Sequence, residues 1–458
     1  MRNQLLPIFL LLVGCMPGGI PETATRASRP EPVSSLPPIK NFTSPSPSSP
    51  ARSNRDIARD FLELTFRLES GRDLPVLTRF ETPITVRVTG DPSPTLLPDL
   101  ARLVRRMQTE ARLPISMTND PNANITVQAV SRADIRRNLP HAACFVVPNI
   151  SDISQYRAAR RSQKSNWGLL RKRERLAVFV PNDASPQEVR DCLHEELAQA
   201  VGPLNDLYRL PDSVFNDDNV HTVLTGFDML ILRAYYDPAL SNGMTKRQVA
   251  ARLPAILARL NPRGERAATR RPAPTPRSWI DAIQTALGPG TSHTQRKVAA
   301  KKALSIAQSL GWQDHRRAFA HYAMGRLNAA SDPDAALSHF RAADHFYATS
   351  PSTGLHRAYV SSQLAAHALA QGDGKSTLAM VNRAIPTASR HENAALLSTL
   401  MLLRAEALEI SGRASEASHV RMDSLGWARY GFGADWAVRA KLREIGSLNP
   451  LKGRRGNL

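Results

Sequence analysis

Residues 192–206 read CLHEELAQAVGPLND, and the fold of the first half of the chain turns on how this stretch is read. It lies inside a well-signalled helix. Ser185 suits the N-cap, Pro186 the first helical position, and Glu188 completes a capping box. Val189, Leu193, Leu197, Ala200 and Val201 recur at helical spacing and form an apolar stripe. Gly202-Pro203 stops the helix. The polar residues on the remaining surface are the ones that can carry chemistry.

Positions i and i+4 of a helix face the same way. A metal-binding helix of the His-Glu-x-x-His type uses that geometry, with two ligands and a general base between them. Counted from His194, the second position is Ala198, which has no donor atom. Counted from Glu195, it is Gln199, and Glu196 lies between the two. Gly202 follows three residues after Gln199, and Asn205 three residues later, with Asp206 beside it. His194 is about 100° round the helix from Glu195 and falls outside this set.

Upstream, 85–88 alternates as a strand, and Leu100, Leu103, Val104, Met107 and Ala111 keep helical spacing. Strands follow at 124–130, 143–147 and 176–180. The order predicts an α+β domain over residues 55–260, with two long helices on one face of a mixed sheet. The Glu195 frame resembles the extended metzincin motif His-Glu-x-x-His-x-x-Gly-x-x-His, with Glu196 and Gly202 kept. Glu195, Gln199 and Asn205 stand where that family has its three His ligands. Downstream, Ser213–Asn216 lies near the distance of the family's Met-turn, without the Met, and 224–236 resembles its final helix, with Asp228 early and Tyr236 at its end. The resemblance implies a zincin (metzincin-like) fold. The run HEELAQAVGPLNDLYRLPDSVFNDDNVHTVLTGFDMLILRAYYDP also resembles proteobacterial lipoproteins grouped as domain of unknown function 2927, which brings no established activity.

Zinc prefers His nitrogen and Cys sulfur. Glu195, Gln199, Asn205 and Asp206 offer oxygen, which suits Ca²⁺, Mg²⁺ or Mn²⁺, and Glu196 would be the general base of any hydrolysis. One or two carboxylates beside neutral amides activate water poorly. Three readings stand: a catalytic zinc site, a weak site for another divalent cation, or a polar structural or binding cleft without metal. Asp217, Asp218, Asn219 and His221 could lend a further ligand or form a hydrated turn.

At the start of the chain, Arg2, the apolar run Leu5–Val13 and Leu12-Val13-Gly14-Cys15 resemble a signal peptide with a lipobox (residues 1–15), Cys15 being the lipidated residue. The run is too short to span a bilayer. Met16 rather than Asp after Cys15 favours the outer membrane facing the periplasm. Residues 16–54 are rich in Pro and Ser and read as a disordered tether. Cys144 and Cys192 remain, to be bridged in an oxidising compartment or buried as free thiols. The formal charge of +20 comes from a bias to Arg spread over the whole chain. No RNA-binding aromatic motif or zinc finger accompanies it, so it fits anionic envelope surfaces better than nucleic acid. Arg157–Arg175, a basic insertion around Trp167, could touch such a surface or be a solvated loop.

Residues 261–277 read as a linker, 278–450 as helices, and 451–458 as a basic tail. Gly311, Ser350, Ser389 and Gly426 each follow an Ala-rich helical stretch, and Asp332-Pro333, Gly372-Asp373 and Gly412-Arg413 mark the intervening turns. Ser309-Leu-Gly-Trp312 recurs as Ser424-Leu-Gly-Trp427. Such helix–turn–helix units resemble tetratricopeptide-type repeats, whose concave surfaces bind protein segments. The expectation is a lipid-anchored envelope protein with a non-catalytic metzincin-like domain and a protein-binding all-α repeat domain. The alternative is a divergent metallohydrolase acting on envelope proteins or peptides.

Overall fold

Strand β5 (Leu176–Pro181) is buried on both faces, which is why LAVFVP reads as one unbroken apolar run. Leu176, Val178 and Val180 enter the main core, while Ala177 and Phe179 enter a smaller core on the opposite face. The computed structural model describes residues 36–42 and 49–453. The signal segment with Cys15, most of the tether and the end of the basic tail lie outside the described residues.

The α+β part begins with α1 (Asn54–Thr65), capped by Ser53, then β1 (Ile84–Gly90) and α2 (Leu96–Thr109). A short β2 (Ile115–Met117), which the sequence reading did not contain, precedes β3 (Ile125–Val130), α3 (Arg132–Asn138), β4 (Phe145–Pro148) and α4 (Ile153–Ala159). After β5 come α5 (Pro186–Val201), α6 (Gly226–Tyr235) and α7 (Lys246–Leu260). The sheet order is β2-β1-β3-β5-β4, parallel except for the edge strand β4, which runs antiparallel to β5. Leu100, Leu103, Val104 and Met107 of α2 share one core with Val189, Leu193 and Leu197 of α5 and with Val86 and Val127 of the sheet. Ile135, Tyr156 and Ala159 from α3 and α4 cover the other face.

The C-terminal part is a run of helices: α8 (Arg277–Leu287), α9 (His293–Ser309), α10 (His315–Asn328), α11 (Pro333–Thr349), α12 (Gly354–Ala370), α13 (Gly374–Arg390), α14 (Ala394–Ile410), α15 (Ala414–Phe432) and α16 (Asp435–Gly446). Consecutive helices pack on each other, and α12 also packs on α14. Asp332 and Asp373 cap α11 and α13, and Gly372 and Gly412 take positive φ in the turns. Fold class is therefore α+β followed by all-α. No helix among the described residues is long and apolar enough to cross a membrane.

Gly426 departs from the sequence reading. It does not end a helix but lies in the middle of α15. A side chain there would meet Lys40 and the Pro38 carbonyl, because residues 36–42 cross α15 at this point. Lys40 N donates to the Gly426 carbonyl at 3.2 Å, and Phe42 stacks on Trp427 with ring centroids 4.4 Å apart. Part of the expected tether is thus seated on the folded body.

Candidate functional site

Ser185 caps α5 as the sequence predicts, accepting from the Glu188 backbone N–H at 3.2 Å. The Glu188 side chain does not close a capping box; it pairs with Arg132. The other end of α5 is held by a residue of the basic insertion. Arg173 is buried, and its guanidinium donates to the carbonyls of Gln199 (2.7 Å), Ala200 (2.8 Å) and Gly202 (2.6 Å). A cation there satisfies the unpaired carbonyls at the helix end and complements its dipole. Gly202 itself has negative φ, and its requirement is spatial: a Cβ would stand 2.5 Å from Leu232 Cδ2 and 3.0 Å from the Ala198 carbonyl.

Held in this way, α5 turns Glu195, Glu196 and Gln199 into a cleft of about 700 Å³. Its other walls are the β4 edge with the loop before it, the Glu69 loop, Trp167, Asp217 and Gln284 of α8. Gln199 Nε2 donates to Glu69 at 3.3 Å. Asp217 accepts from Tyr208 Oη and Gln284 Nε2, both at 2.9 Å. Glu196 is only 5% exposed, and its Oε2 has no hydrogen-bond partner. The remaining residues of the expected set do not line the cleft. Asn205 turns to α1, donating to the Glu63 carbonyl at 3.0 Å. Asp206 does not line the cleft, and its Oδ1 is also unpartnered. Among the described residues no three His, Cys, Asp or Glu side chains converge on a point that could hold a metal ion.

Burial and mutual repulsion govern the protonation of this cluster. Burial, then Glu69 and Asp217, push the Glu195 carboxyl up to about 8. Burial, then Glu195 and Glu69, hold Glu196 well above the usual carboxylate range. Asp206 is raised well above its ordinary value by burial and the same neighbours. With no cation beside it, a carboxyl that keeps its proton at neutral pH is a poor general base; a cation seated against it would favour the ionised, accepting form.

His194 lies away from the cleft. It is buried, its Nδ1 accepts from Leu224 N at 3.0 Å, and burial, then Arg106, hold it well below the ordinary imidazole value. The segment between α5 and α6 joins the two halves of the molecule. Asp228 accepts from Val214 N and Thr225 N and fixes the Ser213–Asn216 turn. Asp218 accepts from His356 Nε2 of α12 at 2.8 Å, and the Tyr208 carbonyl lies 2.8 Å from His315 Nε2 of α10. In the cleft wall, a disulfide joins Cys144 beside β4 to Cys192 of α5, Cα atoms 5.9 Å apart. Glu69 was not legible as a site residue, because it reaches Gln199 only through tertiary packing.

Residues 54–255 match the family model described as Protein of unknown function (DUF2927). The matched segment holds the sheet, α5 and every side chain of the acidic cluster. The helical part lies outside the match. No curated protein matches the chain.

Proposed function

We propose that this is a lipid-anchored protein of the cell envelope, held at the outer membrane and facing the periplasm, in which a non-catalytic metzincin-like domain forms a binding cleft and a tetratricopeptide-like domain binds protein partners. The observation that carries the non-catalytic reading is the fate of the ligand positions. Gln199 spends its amide on Glu69 and Asn205 on α1, so the residues at the three metzincin ligand positions do not form one ligand set. The raised Glu196 carboxyl adds to this, since a base must be ionised to take a proton from water. A Cys144–Cys192 disulfide suits an oxidising compartment. The stacked hairpins from α8 to α15 support the repeat reading.

The test is metal analysis of full-length protein purified without chelator. The binding reading expects substoichiometric zinc, and no change on Glu195→Ala or Gln199→Ala. Stoichiometric metal lost in both variants would overturn it and restore the metallohydrolase with Glu196 as base. Incorporation of labelled fatty acid, abolished by Cys15→Ser, tests the anchor.

A further inference from the structure

We propose that the cleft beside α5 is a binding site for an organic cation, an ammonium or guanidinium group, seated against Glu195, Glu196, Glu69 and Asp217. The proposal rests on reading this cleft as a binding site and names what it binds.

The chain carries 60 Lys and Arg against 40 Asp and Glu, yet four carboxylates line this cleft with no Lys or Arg among them. Arg277, a cation that acts on Glu69 and Asp217, is engaged with Asp281 at 2.8 Å and with the Glu69 carbonyl at 2.9 Å. Packing four acids together is unfavourable unless something offsets their repulsion. Buried acceptors in folded proteins are almost always hydrogen-bonded, and Glu196 Oε2 lines a cavity with nothing donating to it. A donor from outside the chain completes it.

Ca²⁺ draws six to eight oxygens to within about 2.3–2.6 Å, and no three acids here converge in that way. An ammonium presents three N–H donors and a guanidinium five, spread over a fork, which suits carboxylates distributed along a wall. A second cavity of about 900 Å³ lies beside the cleft and shares His141, Asp217, Asn219 and Gln284 with it. The second cavity is lined by Phe319 and Tyr322 together with Arg296 and Arg326, so the cationic end of the occupant belongs in the acidic cleft and the rest of its chain along the second cavity. That chemistry belongs both to a free polyamine and to a Lys or Arg side chain of a peptide.

Calorimetric titration of the purified full-length protein tests this with spermidine, with acetyl-Ala-Lys-Ala-amide and acetyl-Ala-Arg-Ala-amide, and with acetyl-Ala-Gln-Ala-amide as the neutral control. At least one cationic probe should bind at one site below millimolar concentration, at least about tenfold more tightly than the control. Tighter spermidine assigns a free amine; a tighter peptide assigns a protein segment. Glu196→Gln should weaken binding about tenfold or more. Glu69→Gln, at the open mouth of the cleft, should act in the same direction even where the buried variant fails to fold. Equal binding of the neutral peptide, no binding of any cationic probe, or unchanged affinity in Glu69→Gln overturns the proposal. So does displacement of the probe by equimolar Ca²⁺ or Mn²⁺. Metal analysis of the same sample separates the two failures: stoichiometric zinc overturns the non-catalytic reading, whereas metal-free protein that ignores the amines overturns the cation alone.

Discussion

Arg190 and Glu392 hold each other across the boundary between the α+β part and the helical part. Arg190 Nη2 donates to the Glu392 carbonyl at 2.7 Å, and Nη1 lies 3.4 Å from its carboxylate. Arg190 is 1% exposed and also donates to Thr222 at 3.1 Å. Gln187 and Asn393 are joined beside them at 3.3 Å, and Tyr430 Oη donates to Asp99 at 2.7 Å. The helix that carries the cleft is therefore also the helix that docks the C-terminal part. Removing one partner of a buried pair leaves an uncompensated charge, at a cost of about 3–5 kcal/mol. Arg190→Met should lower stability by that amount in denaturant unfolding. Glu392→Gln keeps the carbonyl contact and should cost less. Equal stability of Arg190→Met and the parent protein would show that the boundary is not held here.

Arg173 holds the C-terminal end of α5. Its guanidinium meets three carbonyls that the helix cannot satisfy itself. Hydrogen bonds from charged groups contribute about 1.5–3 kcal/mol each and are not additive. Arg173→Ala should therefore destabilise by about 3 kcal/mol or more. Arg171→Ala, two residues away on the exposed surface, should change it by less than about 0.5 kcal/mol. Hydrogen exchange should rise at the last turn of α5 in the first variant and not in the second.

Gly202→Ala brings a methyl group against Leu232 and the Ala198 carbonyl. Overpacking of this kind costs about 1–3 kcal/mol. Leu232→Ala opens the space, so the double variant should be less destabilised than the sum of the two singles. Additive losses in a double-mutant cycle would mean that Gly202 is needed for its backbone instead.

The local signals of α5 were readable because they are local: Ser185, Pro186 and the apolar stripe all act within one helix. The long strands were readable for the same reason, since burial on one or both faces leaves a pattern in the residues themselves. Three kinds of feature were not. β2 has three residues, too few for a period. Gly426 looked like a turn because a glycine at a helix crossing and a glycine at a helix end are the same letter; the partner that needs the space, Lys40, is hundreds of residues away. The basic insertion looked like one solvated run, yet Arg173 within it is buried beneath α5. At the cleft, Glu195, Glu196 and Gln199 came from helical spacing. Glu69 joins them only in three dimensions, and so does the separation of Asn205 and Asp206 from the cleft wall.

The Cys144–Cys192 bridge closes a loop of sequence separation 48. In the chain-entropy account a loop of that length restricts the unfolded chain by about 4 kcal/mol. Paired Cys144→Ala and Cys192→Ala substitutions should lower stability by roughly 2–4 kcal/mol, with a native-like circular dichroism spectrum in the absence of denaturant. A reductant should destabilise the parent protein and leave the double variant unaffected. Sensitivity of the double variant to reductant would point to another cause.

His321 of α10 and His339 of α11 face each other with their Nδ1 atoms 3.1 Å apart. Only one proton fits between two such nitrogens. Burial, then His339, depress His321 to about 4, against an ordinary value near 6.5. His321 is itself buried and stacks on Phe346 at 5.7 Å. A histidine whose value falls on folding contributes stability above its unfolded value. That contribution is lost as pH falls, because the unfolded chain takes up the proton first. Other buried groups titrate in the same range, so the comparison must be with a single-site variant. His321→Gln removes this one term. The stability of the parent relative to the variant should fall by up to about 1.4 kcal/mol per pH unit between pH 6.5 and 4. Denaturant unfolding at half-unit steps measures the difference, and an NMR titration of the His321 ring locates the proton directly. Parallel stability curves, or a ring that titrates near 6.5, would rule out the depressed pair.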